Sequence, residues 1–188
     1  MTVAGLLLAA GAGRRFGMPK ALVRHRGRLF VEHAADVLHA AGCVPVVVVL
    51  GSLAEDVRGT AALSGSSLVD NPEWASGMGS SLRAGLAALD ASDCEAVVIL
   101  PVDTPGVTAE AVRRLAGLAA PSALARATYD GVPGRPVLIG RDHWAAVDEE
   151  STADEGARPY LARHHVDEVP CEDVATGGDV DRREDLPD

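Results

Sequence analysis

Between Leu8 and Lys20 the chain reads LAAGAGRRFGMPK, a run that combines backbone freedom with positive charge. Gly11, Gly13 and Gly17 let a ligand approach the main chain with no side chain in the way. Arg14, Arg15 and Lys20 supply cations, and Lys20 is the only lysine in the sequence. Small loop residues with free N–H groups and nearby cations can cradle phosphate. A compact ammonium acts there as a point charge, where a guanidinium fork needs more room. An Arg-rich surface turn is the plainer reading of the same residues. Two known phosphate loops do not fit. No Gly-Lys-Ser/Thr closes the run, and Phe16 stands where a dinucleotide fingerprint needs its third glycine.

A second chemical feature is Asp103, which ends the apolar run EAVVILPVD and precedes Thr104 and Pro105. A carboxylate at a strand's C-terminal edge can hold Mg²⁺, which takes only one or two protein carboxylates plus phosphate and water. An Asx turn stiffened by Pro105 would use the same residues. Downstream of the third apolar run, NPEWASGMGSSL places small residues at a helix start, where N–H groups face an anion or a base edge. Helix capping by Ser80 or Ser81 is compatible with that role. The six histidines show no metal-ligand spacing.

The elements that must position these residues alternate. Strands are expected at Val3–Ala9, 43–51, 66–71, 95–103, 123–129, 136–139 and 166–170. Helices are expected at 29–41, 53–63, 80–89, 108–119, 140–149 and 159–164. Continuous apolar strands interleaved with helices predict an α/β fold with a mostly parallel sheet covered on both faces. Ligands in such sheets bind beyond the carboxyl ends of the strands, where Gly11–Lys20, 70–81 and 103–105 fall.

The 188 residues predict one domain, 1–188. A net charge of −10 argues against a general nucleic-acid surface. No apolar run reaches a membrane-spanning length. Three widely spaced cysteines fit reduced thiols in a cytoplasmic chain, with no disulfide framework or zinc spacing.

The loop pattern Leu-Ala-Ala-Gly-x-Gly-x-Arg-Phe-Gly-x-Pro-Lys closely resembles the signature loop of the MobA-like nucleotidyltransferases, with Phe16 where that family usually has Met. The resemblance extends to Asn71, Gly77, Met78, Ser81 and Leu82, to Asp-Thr-Pro at 103–105, and to Gly-Arg-Pro-Val at 134–137 in place of Gly-His-Pro-Val. It continues through Gly-Ala-Arg at 156–158 to the closing GGDVDRREDL, where Arg182 and Arg183 replace Thr-Pro. It implies a three-layer α/β/α, Rossmann-like fold of the nucleotide-diphospho-sugar transferase type. The implied reaction moves a nucleoside monophosphate from an NTP to a phosphorylated acceptor and releases pyrophosphate.

By the same resemblance, Leu8, Ala9, Ala10, Gly11, Ala12, Gly13, Arg15, Lys20, Asn71, Gly77, Ser80 and Ser81 would contact the nucleotide. Arg15, Lys20 and Asp103 would be catalytic, and Asp103 with Asp181 would hold Mg²⁺, with Asp179 as the alternative second ligand. Arg135 and Arg158 would face the acceptor. Ala10, where guanylyltransferases of the molybdenum cofactor carry Gly, points to a cytidylyltransferase. CTP would be the donor, molybdopterin or its molybdenum form the acceptor, and a molybdoenzyme a possible partner. Other acceptors or a non-catalytic nucleotide-binding chaperone would share the loop. A nicotinamide-dinucleotide oxidoreductase is opposed by Phe16 and by the missing acid at Leu50–Ser52.

Overall fold

Seven strands in the order β5-β4-β1-β6-β8-β7-β9 form the central sheet of the computed structural model, which describes residues 2–187. In chain order the elements are β1 (Val3–Ala9), the two-residue strands β2 (Arg24–His25) and β3 (Arg28–Leu29), α1 (Phe30–Ala40), β4 (Val46–Leu50) and α2 (Ala54–Thr60). They continue with β5 (Ser66–Asp70), α3 (Met78–Leu89), β6 (Ala96–Pro101), α4 (Ala109–Ala116), β7 (Leu124–Tyr129) and β8 (Val132–Gly140). The last are α5 (Trp144–Glu150), α6 (Arg158–Ala162) and β9 (Asp167–Pro170). Only β8 runs against its sheet neighbours, so the sheet is mostly parallel as expected.

Period-two alternation within fully buried strands builds a core on each face. Leu7, Val46, Val48, Leu50, Val98 and Leu100 pack under α1 and α4 with Phe30, Leu38, Val112 and Leu115. Leu6, Val47, Val49, Val97 and Ile99 pack on the other face with Leu82 and Leu86 of α3 and with Trp144 and Tyr160. A strand buried on both faces needs no polar alternation, which explains the unbroken VVVVL of β4.

Helix α3 starts at Met78 rather than at the expected Ser80, with Gly77 before it and no side-chain cap. Gly77 has φ +118°, and a Cβ there would overlap the Ala153 carbonyl, so the entry conformation selects glycine. The serines therefore lie inside the first turn and point inward. β8 is longer than expected because Asp130 and Gly131, both at positive φ, turn β7 directly into it. A bulge between Arg126 and Thr128 accommodates the extension.

Candidate active site

Strands β1 and β6 are neighbours, with Leu8 opposite Pro101, so the loops after them leave the sheet side by side. The β1 loop turns back at Gly13, whose φ of +59° is left-handed and whose missing Cβ makes way for the Met18 carbonyl. The Gly17 N–H donates to the Gly13 carbonyl at 2.8 Å and closes that turn. Buried Phe16 and Ala21 anchor both sides of the loop in the core. Lys20 then opens a short 3-10 turn with no freedom to drift, because the Val23 N–H holds its carbonyl at 3.1 Å.

On the β6 side, the Val102 N–H bonds to Leu8, and Asp103 follows, two residues past the strand end. The Thr104 hydroxyl, not Asp103, closes the local turn by donating to Pro101 at 3.0 Å. That leaves the Asp103 carboxylate free to face Lys20. The C-terminal segment arrives alongside: the Val180 N–H donates to the Asp103 carbonyl at 2.8 Å, and Val180 is buried. The N–H groups of Asp181 and Arg182 both donate to Asp185 Oδ2, at 3.0 and 2.8 Å, which fixes the direction of Asp181.

Three chain segments therefore meet at one ammonium. Lys20 Nζ donates to Asp103 Oδ2 at 3.1 Å and to Asp181 Oδ1 at 2.8 Å. Arg15 Nη1 donates to the other Asp181 oxygen at 3.1 Å. The lysine side chain is only 14% exposed, so its two bonds are partly sheltered from solvent, whereas the Arg15 pair is exposed. Burial pushes the Lys20 pKa down, but the hydrogen bond to Asp181 and the charge of Asp103 outweigh it, and the net shift is upward. The hydrogen bond from Lys20 holds the Asp181 pKa below the usual carboxylate range. Asp179 behaves oppositely: desolvation, then the charges of Asp103 and Asp181, push its pKa up. Among the described residues, Lys20 has no hydrogen bond to Asp179.

No group of three or more His, Cys, Asp or Glu is arranged to hold a metal among the described residues. Asp103 and Asp181 instead offer two hard oxygen donors that converge on one point, now held by Lys20 Nζ. That set fits a small divalent ion that completes its shell from phosphate and water.

These groups form the floor of a cleft of about 470 Å³. Leu8, Ala10, Gly11, Gly13, Arg15 and Lys20 line one side, and Gly77 and Ser81 the other. Ala9 and Ala12 are not part of the lining, nor are Asn71 and Ser80. The last two sit behind the wall. Asn71 Nδ2 donates to the Ser80 and Ser81 hydroxyls at 2.8 and 3.0 Å, and its Oδ1 accepts the Glu73 N–H at 3.0 Å. Asn71 thus braces the first turn of α3.

Arg135 borders a smaller, mainly apolar cavity that shares Leu8, Met78 and Pro101 with the cleft. Burial pushes its guanidinium pKa down. Arg158 is outside both cavities, exposed, and 3.7 Å from Glu155. The cleft also includes Arg14, Trp74, Met78 and Asp154. Asp154 escapes detection because it lies just before the Gly-Ala-Arg run and outside it. Asp185 was detectable in principle, since it stands three residues after Arg182 at the spacing of a capping side chain.

Residues 5–169 match the family model described as the MobA-like NTP transferase domain. A nicotine blue oxidoreductase from Paenarthrobacter nicotinovorans is 39% identical over 194 residues, spanning 98% of this chain and 94% of that protein. A molybdenum cofactor guanylyltransferase from Rhodobacter capsulatus is 35% identical over 148 residues, 78% of this chain and 67% of that one. The crystal structure of Rv0371c from Mycobacterium tuberculosis H37Rv, in complex with manganese, superposes with a TM-score of 0.81 at 26% identity. It covers 98% of this chain and 96% of that one.

Proposed function

The chain belongs to the MobA-like NTP transferase family, and from that premise we propose that it transfers a nucleoside monophosphate from an NTP to a phosphomonoester. CTP is the proposed donor, molybdopterin or its molybdenum form the acceptor, and a molybdoenzyme the recipient of the product. One observation carries this reading: the sole lysine, at the end of the glycine loop, bridges two carboxylates at the floor of the cleft. The choice of CTP rests on Ala10, whose methyl borders the cleft where the resembling guanylyltransferases carry glycine.

In the proposed reaction an acceptor phosphate oxygen attacks the α-phosphorus. The new P–O bond forms as the bond to the bridging oxygen of the β-phosphate breaks, and pyrophosphate leaves with that electron pair. The acceptor is already an anion near neutral pH, so no general base is needed. The protein's task is to hold two anions in line and offset their repulsion. Lys20 moves from its carboxylates to the triphosphate, and Arg15 adds a second cation. Ser81 and Gly77 face the nucleoside, and Arg135 and Arg158 attract the acceptor. Asp103 and Asp181 would hold Mg²⁺, which would supply charge neutralisation at the phosphates.

Thermal-shift titration with CTP, GTP, ATP and UTP in Mg²⁺, followed by a pyrophosphate-release assay with a phosphorylated pterin, tests the reading. The expected result is strongest stabilisation by CTP and stoichiometric pyrophosphate. Preference for GTP would overturn the base choice, and indifference to every NTP would overturn the reading.

A second reading is favoured by the near full-length similarity to a nicotine blue oxidoreductase. Here the cleft would hold a reduced nicotinamide nucleotide, with the loop on its phosphates. β4 ends at Leu50, and Gly51 and Ser52 follow it with no acid for a ribose. Stabilisation by NADH or NADPH, with substrate-dependent loss of absorbance at their reduced-ring band and no pyrophosphate, would favour it.

A further inference from the structure

On the outer side of Arg15 lies a second, open depression of about 390 Å³, walled by Arg15, Phe16, Arg182, Arg183 and Glu184. Three guanidinium groups and one carboxylate meet there, in a chain whose net charge is −10. Arg15 is paired with Asp181 at 3.1 Å, and Arg182 is 3.8 Å from Glu184. Arg183 is different. Its guanidinium lies 5.6 Å from the centroid of the Phe16 ring, and among the described residues it has no carboxylate partner. Stacking on a ring face holds the planar cation while its N–H edge stays available to an anion.

Both walls are fixed by the same contacts that build the cleft. Phe16 is buried within the glycine loop, and the turn carrying Arg182 and Arg183 is pinned by Asp185 Oδ2. The arginine pair stands where the resembling family segment has Thr-Pro, so it is a departure of this chain. Arg15 belongs to both the cleft and the depression. The two cavities thus share one guanidinium.

We propose that this depression is a second anion site that takes inorganic pyrophosphate as it leaves the cleft. The assignment rests on the nucleotidyl-transfer reading, in which pyrophosphate is the leaving group. Guanidinium forks match phosphate oxygens in pairs, and two linked phosphates can engage Arg183 together with Arg15 or Arg182. Glu184 opposes the anion but already faces Arg182 at 3.8 Å, which leaves the Arg183 charge uncompensated among the described residues.

The test is calorimetric, on the full chain loaded with a methylene-bridged, unreactive analogue of its preferred NTP. Pyrophosphate is titrated into the wild type and into the Arg182→Gln/Arg183→Gln double variant. The expected result is pyrophosphate binding to the loaded wild type, at least tenfold weaker in the double variant, with analogue affinity changed less than threefold. Loss of product inhibition by pyrophosphate in the double variant would separate released product from a site that captures only free pyrophosphate. The proposal is overturned if the loaded wild type binds no pyrophosphate, or if the double variant binds it equally. Should no NTP analogue bind, the nucleotidyl-transfer reading fails, and the same comparison on the nucleotide-free protein still decides the depression.

Discussion

Lys20 ties three chain segments together at one ammonium. It stands at the end of the glycine loop, neutralises two carboxylates and, in the proposed reaction, meets developing charge on the phosphates. Removing one preorganised electrostatic contact of this kind typically costs about 3–4 kcal/mol, or 10²–10³ in rate. Lys20→Ala and Asp103→Ala are each expected to lose at least that much turnover in a pyrophosphate-release assay. Normal turnover by Lys20→Ala would remove the loop from the mechanism. Part of this arrangement was legible from residue types alone, since a lone lysine after a glycine run stands out in a chain that otherwise uses arginine. The direct clasp onto Asp103 and Asp181 was not legible, because sequence spacing carries no information about contacts between residues 83 and 161 positions apart.

The elements do their positioning through a few clasps between backbone and side chain. Glu32 in the first turn of α1 accepts the Leu29 N–H at 3.0 Å through one oxygen and the Ala62 N–H at 2.9 Å through the other. The Ala62 bond, followed by the Leu29 bond, holds the Glu32 pKa below its usual value against a desolvation that raises it. A depressed carboxylate stabilises the fold fully above its unfolded pKa and loses that contribution as pH falls through the folded one. Glu32→Ala is expected to lower unfolding stability by about 2 kcal/mol at pH 7, as for a charge-assisted bond. The gap between variant and wild type should close as the pH drops through the acid range in urea titrations. A constant gap down to pH 2 would show that lost packing, not charge, sets the effect.

Strand and helix existence followed from periodicity at this scale, and β1 was placed to the residue. The misplacements have local causes. Pro45 has no N–H to donate, so the β4 ladder starts only at Val46. Pro133, Gly134 and Pro136 look like breakers, yet they lie within β8 on an antiparallel hairpin. The β2–β3 hairpin is short and arginine-rich, so hydrophobic pattern cannot reveal it.

At the scale of the molecule, three free cysteines lie buried and no disulfide links the layers. No described helix is long and apolar enough to cross a membrane. Burial, with a smaller contribution from Cys94, pushes the Cys43 thiol up to about 11. The unfolded chain ionises this thiol near its ordinary value of 9.0 while the folded one does not. Its contribution is therefore complete below pH 9 and is lost as the pH rises through about 11. Two pKa units correspond to about 3 kcal/mol. Denaturant midpoints of the wild type should fall across that window, and Cys43→Ala should flatten the slope. An unchanged slope in the variant would assign the alkaline loss to other groups, such as Tyr129, which burial raises to about 12.

The C-terminal segment crosses back over the finished sheet to deliver Asp181, long after Lys20 has been laid down. Truncation after Gly178 removes Asp181 and Arg182 but leaves all seven strands of the sheet. The truncated protein is expected to keep its far-ultraviolet spectrum and to lose turnover completely. A contact between residues 161 positions apart closes a long loop, so its entropic cost falls late in folding. If Asp181 acts as proposed, half-assembled chains are chemically silent: competence waits for the final stitch, and a protein nicked behind β9 would disarm itself while still looking whole.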